Sequence, residues 1–544
     1  MVHTRVVLTE EEQELFELLL GTITHFQLGT TMRAAGGWVR DKLLGKYSDD
    51  IDIALDNMLG KDFAEKVNEY LKLKGEETHS VGVIQTNPEQ SKHLETARIR
   101  VRGLWIDLVN LRSETYAADS RIPEMTFGTP DQDAYRRDLT INSLFYNINA
   151  ATVEDFTEKG LADLQVGTIR TPLAPHDTFL DDPLRVLRAV RFAARFGFEL
   201  DPELVASAGS EEVRGALRDK ISRERVGAEV EGMLKSADPL RAMTQLHRLH
   251  LFPVVFPSAK CAELPSGLDY GAPCVGSLKI MTETTAMLPP GFLSCEEYRI
   301  LLLASLLLPL RKCTIPVKKK QVPLASHIVR EALKMRTKDA EGVAALHAAA
   351  DKLAALAGDL HLAAACSSSS MSSTSVDLTT TLPHAGNGEK GFPTEICIHL
   401  GLEIRHLKEI WRCALPLAAI LDHSGTAPLV SEELPEVERS TSAEADHTLA
   451  SARSHTLRRA NLCVEYEGAI KAMQLDRAWE MKPLLDGKAI MAELQMKGGG
   501  PVLGKVMGAL LEWQLAHPGS DKESCLAYLR ENREVVLSKD FLRQ

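Results

Sequence analysis

The stretch GGWVRDKLLGKYSDDIDIAL, residues 36–55, indicates both a fold and a site. A Gly36-Gly37 turn precedes a short helical pattern, and a β-type run carrying Asp50 and Asp52 follows. Residues two apart in a strand point to the same face, so the two carboxylates project together. A glycine turn lets the backbone approach phosphates closely, and Mg²⁺ prefers carboxylate and phosphate oxygens. The stretch therefore predicts a site for a divalent metal and a triphosphate, with a solvated strand end as the alternative.

Short strands alternate with helices on both sides of this stretch. The predicted strands are 50–55, 80–84, 94–101 and 104–111, and the predicted helices are 38–44, 61–72 and one around 133–147. This alternation predicts a mixed sheet flanked by helices within roughly the first 165 residues. Beyond about Pro175, long helical patterns such as 182–196 and 223–234 take over. The fold class predicted from these patterns is α+β, with a sheet-containing first part and a long helical remainder.

A further acid, Asp107, lies inside the apolar run WIDLVN, residues 105–110. An unpaired buried charge is costly, so this position needs an explanation. One explanation is that Asp107 coordinates a metal beside Asp50 and Asp52. The other is a salt bridge to Arg112 or another neighbour. The residues alone leave both interpretations open.

The next polar motif is RRDLTIN, which begins at Arg136 and Arg137. In the predicted helix, Asp138 and Asn142 lie one turn apart on the same face. Paired arginines suit anionic phosphates, and the acid and amide suit ribose hydroxyls. A structural ion pair at a helix end is the alternative interpretation of this motif.

A basic helix is predicted from DDPLRVLRAVRFAAR, residues 181–195, because a proline after two acids is a typical helix start. Its arginines recur every three or four residues and so form one stripe: Arg185, Arg188, Arg191 and Arg195. This stripe favours a phosphate-rich partner. Asp182 and Arg185 are one turn apart and offer an acceptor and a planar donor fork, which together can recognise the Watson–Crick edge of a base.

Composition limits the class of protein. Hydrophobic residues make up 44% and charged residues 25%, which is typical of a soluble globular chain. No apolar run reaches membrane-spanning length, and the nine cysteines form no CxxC pair, so no membrane, zinc or disulfide role is expected. The net charge of −12 argues mildly against nucleic acid, although a local basic face is enough for phosphate contact. Without a signal or transit sequence at the start, a cytoplasmic location is expected, with nuclear or organellar forms as alternatives.

Taken in order, four motifs resemble those of one family. They look like the motifs of class II tRNA nucleotidyltransferases, and in chain order they are GGWVRD with DDIDIAL, RRDLTINSLF, DDPLRVLRAVRFAARF, and SRER at 222–225. These CCA-adding enzymes belong to the polymerase-beta nucleotidyltransferase superfamily, and NPEQSKHLETA looks most like the plant and fungal branch. The resemblance is specific over about residues 34–234. It implies a polymerase-beta-like head followed by an all-helical neck, body and tail.

The activity that the resemblance implies is template-independent addition of CCA to the 3′ end of tRNA. CTP and ATP would be the substrates, Mg²⁺ the cofactor and the tRNA acceptor stem the partner, and pyrophosphate would be released. The implied domains are a catalytic head at 1–165, a neck with the base-reading motif at 166–255, a body at 256–440 with a disordered insertion at about 366–391, and a tRNA-binding tail at 441–544. A poly(A) polymerase or a partial CC- or A-adding enzyme is the nearer alternative. A non-catalytic tRNA-binding protein is the more distant one.

The resemblance also implies roles for single residues. The catalytic acids would be Asp50, Asp52 and Asp107, and the first two would hold Mg²⁺. The nucleotide-binding set would be Gly36, Gly37, Arg40, Arg136, Arg137, Asp138, Asn142, Asp181, Asp182, Arg185, Arg188 and Arg191. Within that set, Asp138 would contact the ribose 2′-hydroxyl, and Asp182 with Arg185 would read the base.

Three further expectations follow from the same resemblance. Asp181 stands where bacterial members usually have Glu, so its role would be a supporting one. The segment 113–133, which includes Arg121 and Pro123, matches a loop associated with the switch from C to A addition. Ser222, Glu224 and Arg225 match a motif that steadies the base-reading helix.

Overall fold

A computed structural model describes residues 2–84, 96–115, 124–258, 261, 264, 268–356, 392–422, 442–496 and 498–536. These residues form two compact units. The first unit comprises residues 1–257 with 332–334, and the second comprises 258–331 with 335–544. No helix in the described part is both long and apolar enough to span a bilayer.

The first unit begins with a helix, continues with most of the strands and ends in helices. Its strands are β1 Met32–Ala35, β2 Ile51–Leu55, β3 Gly82–Ile84, β4 Thr96–Val101, β5 Leu104–Asn110, β6 Arg112–Thr115, β7 Glu124–Phe127, β8 Phe145–Asn147, β9 Thr152–Glu154, β10 Thr168–Ile169 and β11 Glu199–Leu200. Its helices are α1 Glu10–Phe26, α2 Gly37–Leu43, α3 Gly60–Leu73, α4 Pro130–Tyr135, α5 Gly160–Val166, α6 Pro175–Asp181, α7 Leu184–Phe196, α8 Pro202–Ala208, α9 Glu211–Lys220, α10 Arg223–Leu234, α11 Pro239–Arg248 and α12 Phe252–Val255.

Seven of these strands form a mixed sheet in the order β3-β4-β5-β2-β1-β8-β9. The pair β2–β5 is parallel and the other pairs are antiparallel. Helices α1 and α3 pack on one face of this sheet. That face receives the apolar residues of the alternating strands, including Ile53, Ile99 and Ile106, which are at most 2% exposed. The predicted mixed sheet with flanking helices is confirmed.

The opposite face carries the predicted acids and is covered only in part. A small apolar cluster of Ala54, Ala134 and Phe145 seals its β8 side, where α4 packs. The alternation along β4 directs Arg98 and Arg100 to this face, and that along β5 directs Trp105 and Asp107 to it. Because the apolar cover ends at Ala54, the neighbouring position Asp52 lies where the open part of this face begins.

The predicted helix around residues 133–147 is wrong as a single element. Helix α4 ends at Tyr135, a 3₁₀ turn occupies Thr140–Asn142, and Phe145–Asn147 is strand β8. Leu139 is extended, with φ −137° and ψ 145°, and its backbone N–H donates to the Asp138 carboxylate at 2.9 Å. A short acidic side chain that captures a nearby N–H competes with the helix hydrogen bond, which explains the break.

The second unit is mostly helical, as predicted. Its helices are α13 Gly271–Thr285, α14 Cys295–Leu306, α15 Leu324–His327, α16 Thr337–Ala355, α17 Thr394–Leu407, α18 Ala414–Asp422, α19 Ser442–Ala472, α20 Gly487–Leu494, α21 Pro501–Ala516, α22 Lys522–Glu531 and α23 Arg533–Val536. The prediction of an all-helical remainder needs two corrections, the first because Thr314–Val317 (β12) and Lys320–Pro323 (β13) pair as a hairpin. The β10–β11 pair is a second short exception, in the first unit. The predicted insertion at 366–391 lies outside the described residues.

Candidate active site

Three acids meet at the junction of β2 and β5. The parallel register places Asp52 directly opposite Asp107, and Asp50 immediately precedes Ile51, the first residue of β2. On the other side of β5, Asp107 is opposite Arg98 of β4. Three adjacent strands therefore present Asp52, Asp107 and Arg98 in one row on the open face. The sequence predicted that Asp50 and Asp52 share a face, and the family resemblance implied Asp107 as the third acid. The register places Asp107 beside Asp52.

Burial and mutual repulsion raise the pKa values of two of these acids. Burial raises the pKa of Asp52 to about 6, and repulsion from the Asp50 and Asp107 carboxylates adds to this shift against the opposing charge of Arg137. Burial also raises the pKa of Asp107, although Arg98 opposes the shift. Carboxylates placed so that their negative charges repel one another are stabilised by a cation between them.

The acids fit a divalent cation that shares its coordination with a substrate. Asp107 Oδ1 is buried and accepts no hydrogen bond from the described residues, and its contact with Arg98 Nε is long at 3.4 Å. The salt bridge that the sequence offered as an alternative explanation of Asp107 is thus made by Arg98 and not by Arg112. It nevertheless leaves the Asp107 Oδ1 without a hydrogen bond in the described part of the chain. No group of three or more His, Cys, Asp or Glu side chains among the described residues is arranged to hold a metal alone. Mg²⁺ commonly uses one or two carboxylates and completes its shell with substrate phosphates and water.

The glycine turn lies at the start of α2 and requires glycine at one position. Gly36 has φ +68°, and a Cβ there would lie 2.7 Å from Arg137 Nη1. Its N–H donates to the Leu144 carbonyl at 2.9 Å, which ties the turn to the segment before β8. Gly37 has ordinary space around it, so Gly36 is the position that permits the close approach of Arg137.

Arg40, predicted to lie near the triphosphate, is only 3% exposed. Its Nε donates to Asp41 at 2.8 Å, and its Nη1 donates to Asn142 Oδ1. The guanidinium also lies over the rings of Phe192 and Phe196, 5.1 and 4.8 Å from their centroids. Arg40 therefore holds Asn142 and joins α2 to α7, and its predicted contact with phosphates stays a prediction.

Asp133 organises the paired arginines, and sequence reasoning missed it. This acid is 1% exposed and accepts from Arg136 Nη2 at 2.6 Å and from Arg137 Nη2 at 2.8 Å. Burial opposes ionisation, but the two arginine charges and their hydrogen bonds hold the pKa of Asp133 below its usual value. The signal was present in the spacing, since Asp133 precedes the two arginines by three and four residues on α4 and its C-terminal turn.

Asp138 is the centre of a second polar network. It is 9% exposed and accepts from Asn142 Nδ2 at 3.1 Å and from Arg188 Nε at 2.7 Å. Burial raises the pKa of Asp138, but the Arg188 charge and these hydrogen bonds outweigh it and lower the pKa to about 2. The Asp138–Asn142 contact predicted for a helix thus exists without the helix. A carboxylate has about four lone-pair sites, so a ribose hydroxyl remains a feasible additional donor.

The arginine stripe on α7 is engaged by protein groups. Arg185 is 9% exposed and donates to the Arg136 carbonyl at 2.8 Å. Arg191 Nε donates to Glu229 at 2.6 Å, Arg188 lies 3.8 Å from the same acid, and Arg195 lies 3.5 Å from Asp41. Glu229 is on α10 and was not foreseen. Acids of the fold therefore pair with Arg188, Arg191 and Arg195, and Arg185 donates to a backbone carbonyl. A direct role of the stripe in nucleotide binding stays a prediction.

Asp182 lies between two helices. It follows α6, is extended with φ −133° and ψ 96°, and accepts from the backbone N–H of Leu184 at 3.2 Å. Arg225 on α10 donates to its Oδ2 at 2.9 Å. Asp181 ends α6. The role expected of the segment 113–133 in the switch from C to A addition stays a prediction, and Arg121 and Pro123 lie outside the described residues.

Comparison with known proteins agrees with this fold. A family described as the Poly A polymerase head domain matches residues 32–170, and one described as the probable RNA and SrmB-binding site of polymerase A matches 197–262. The tRNA nucleotidyltransferase cca2 of Schizosaccharomyces pombe is 33% identical over 97% of this chain and 99% of its own. The mitochondrial CCA tRNA nucleotidyltransferase of Saccharomyces cerevisiae is 54% identical over 42% of each chain. A crystal structure of the Bacillus stearothermophilus CCA-adding enzyme in complex with CTP covers 97% of this chain and 99% of its own, with 19% identity and a TM-score of 0.55.

The fold is that of a polymerase-beta-like nucleotidyltransferase head with a mostly helical remainder. Since the similarity to a tRNA nucleotidyltransferase extends over nearly the full length of both chains, this chain belongs to the tRNA nucleotidyltransferase family. The predicted family and fold class are confirmed. Divalent metal dependence is implied by this family.

Proposed function

We propose that this protein adds CCA to the 3′ end of tRNA from CTP and ATP and releases pyrophosphate. The observation that carries the proposal is the Asp52–Asp107 pair across parallel strands, with Asp50 immediately before β2. This arrangement is combined with 33% identity to a tRNA nucleotidyltransferase over 97% of the chain. We infer the type of reaction from the three acids and the class of substrate from the family.

Asp50 and Asp52 would hold Mg²⁺, with Asp107 as the third acid. When bound, Mg²⁺ supplies activation of the tRNA 3′-hydroxyl for in-line attack on the α-phosphorus and neutralisation of charge on the departing pyrophosphate. The backbone at Gly36 would approach the triphosphate, and Arg137 lies beside that turn, held by Asp133. The protein thus orients an anionic substrate against the acids.

Nucleotide choice is assigned to Asp182 and Arg185. Asp182 would accept from the exocyclic amine that cytosine and adenine share, and Arg185 would donate to a ring acceptor. Guanine and uracil present the opposite polarity at those positions and would be rejected. Arg225 holds the Asp182 carboxylate, and the Arg136 carbonyl accepts from Arg185, which supports a preset orientation of both side chains.

The test is incorporation by the full chain with Mg²⁺ on tRNA that ends before the CCA triplet. CTP and ATP are supplied singly and together, and products are resolved at single-nucleotide length. We expect two additions with CTP alone and a stop at three with both nucleotides. A long adenosine ladder from ATP alone would identify a poly(A) polymerase, and one partial step would identify a CC- or A-adding enzyme. No extension would favour the tRNA-binding alternative.

A further inference from the structure

An exposed tryptophan lies on the same face of the sheet as the acids. Trp105 is 47% exposed, although it belongs to strand β5. It precedes Asp107 by two residues, and residues two apart in a strand share a face. An indole left open to solvent beside carboxylates is an unusual use of a large apolar side chain, since aromatic residues normally bury most of their surface.

Two relationships in the strand register place Trp105 next to the acids. Ile106 is opposite Ile51 in the parallel β2–β5 pair, so Trp105 and Asp50 each lie one residue before the same rung of the sheet. On the next rung, Asp107 is opposite Asp52. Trp105 therefore lies at the edge of the carboxylate group.

Two arginines of β4 flank the indole on this face. Arg100 is directly opposite Trp105, and Arg98 is opposite Asp107. The Arg98 guanidinium lies 5.2 Å from the centroid of the Trp105 ring, and the Arg98 side chain remains 48% exposed. Both arginines fall on the exposed positions of a strand whose other positions, such as Ile99, are buried. An aromatic face with cationic groups beside it is the combination that proteins use to bind single-stranded nucleic acid, through base stacking and phosphate contacts.

We propose that Trp105, Arg98 and Arg100 form a platform for the unpaired 3′-terminal nucleotide of the tRNA. The base would stack on the indole, and the arginines would contact the phosphate that precedes it. This inference rests on the proposed function, and it names the group that presents the 3′-hydroxyl to Asp50, Asp52 and Asp107. Trp105 is thereby a positioning residue for the acceptor RNA, whereas the incoming nucleotide is assigned to Asp182 and Arg185.

The deciding experiment compares two RNAs that differ only in the stacking group. The full-length protein is titrated, without CTP or ATP, with tRNA ending before CCA and with the same tRNA carrying an abasic 3′-terminal nucleotide. Base–aromatic stacking of about 1–3 kcal/mol per base corresponds to a roughly 5- to 150-fold change in Kd. We expect wild-type protein to prefer the intact end at least fivefold, Trp105→Phe to keep most of that preference, and Trp105→Ala to lose it.

Equal preference in wild-type protein and Trp105→Ala would overturn the platform, and so would a wild-type protein that does not distinguish the two RNAs. The second result is informative even if Trp105→Ala folds poorly. Leu73→Ala is the control, because Leu73 is an exposed apolar residue at the end of α3, the helix that packs on the opposite face of β4 and β5. It should retain the wild-type preference.

Steady-state kinetics separate the platform from the proposed function. In Trp105→Ala we expect the KM for tRNA to rise at least fivefold while the KM for CTP stays within about twofold. A raised KM for CTP with an unchanged KM for tRNA would instead place the incoming base on Trp105 and overturn the assignment to the RNA end. If the wild-type protein added no nucleotide at all, the proposed function would fail, but the binding comparison would still decide whether the indole stacks on the RNA end.

Discussion

Arg225 donates to Asp182 at 2.9 Å, and the two residues belong to segments 43 positions apart in the chain. Asp182 is the C-cap of α6, where its backbone N–H donates to the Thr178 carbonyl, and its own carbonyl accepts from the Arg185 N–H of α7. These bonds fix the backbone of Asp182 but leave its carboxylate to be oriented by other groups. The Arg225 contact and the Leu184 N–H are the hydrogen bonds that orient its carboxylate in the described structure. The acid proposed to read the base is therefore aimed by a residue on another helix.

Replacing that residue should reduce nucleotide selectivity. In Arg225→Ala, the Asp182 carboxylate loses its charged donor, and a charge-assisted hydrogen bond contributes about 1.5–3 kcal/mol. We expect the preference for CTP and ATP over UTP and GTP, measured as a ratio of kcat/KM values, to fall about tenfold or more. Arg214→Ala on α9, which removes an ion pair with Glu211, is the matched control. An unchanged ratio in Arg225→Ala would refute the orienting role.

The metal assignment predicts a selective loss of chemistry. Asp52→Ala should lower nucleotide incorporation on the order of a thousandfold, because several kcal/mol of transition-state charge stabilisation are lost. The Kd for tRNA, measured by titration without nucleotide, should change by no more than about twofold. Asp49→Ala removes an exposed acid from the same stretch that we assign no role, and it should retain activity. Full activity in Asp52→Ala would exclude the carboxylate as a metal ligand.

Asp138 should contribute substantially to stability. Asp138→Ala removes the main partner of Arg188 and leaves that guanidinium with Glu229 at 3.8 Å. The Arg188 side chain is 36% exposed, so its charge stays partly hydrated, and the loss of this charge-assisted hydrogen bond should lower the free energy of unfolding by about 1.5–3 kcal/mol. Denaturant titration of the full chain measures it. Asp62→Ala, an exposed acid in the first turn of α3, should change stability by less than about 1 kcal/mol. Similar effects of the two substitutions would contradict the role of the network.

His347 should make the second unit sensitive to acid. Burial lowers the pKa of this imidazole to about 4 from an ordinary 6.5, although its hydrogen bond with the Ala304 carbonyl opposes the shift. Because the pKa of His347 is lower in the folded chain, the imidazole is protonated below about pH 6.5 in the unfolded chain but stays neutral in the folded chain down to about pH 4. Folding stability should therefore decline between about pH 6.5 and 4, by up to about 3 kcal/mol from this group.

The variant that tests this pH dependence is His347→Gln, which can keep the N–H donor without titrating. Its unfolding free energy should fall less steeply between pH 6.5 and 4 than that of the wild type, as followed by denaturant titration at several pH values. His399→Gln replaces an exposed histidine in the same unit and should leave the wild-type slope unchanged. A wild-type slope in His347→Gln would show that other groups cause the acid sensitivity.

The sequence was most informative where local patterns determine the structure. Short strand-like runs predicted β4 and β5, and the shared face of Asp50 and Asp52 followed from the period of two in a strand. The segment 133–147 was mispredicted because its mixed polar and apolar pattern suits either a helix or a strand. The capture of the Leu139 N–H by Asp138 and the pairing of β8 with β1 decided between the two.

Long-range pairing was the part that one sequence could not provide. Glu229 looks like an ordinary helical acid, and only the packing of α10 against α7 makes it the partner of Arg191. The same packing explains why the arginine stripe appeared to lack partners. Trp105 looked like one more apolar strand residue, and its exposure became evident only from the placement of the helices on the other face.

The parallel pairing of β2 with β5 has a consequence for how the head can fail. If β5 paired with β2 one residue out of register, Asp107 would turn toward the helix-covered face and Ile106 or Leu108 would turn to solvent. Such a slip would bury a charge and expose an apolar side chain at the same time, so both changes oppose it. Burial of the apolar side chains of β5 therefore fixes the register that places Asp107 on the open face. A head that has folded stably enough to persist has, by that fact, already brought Asp107 alongside Asp52.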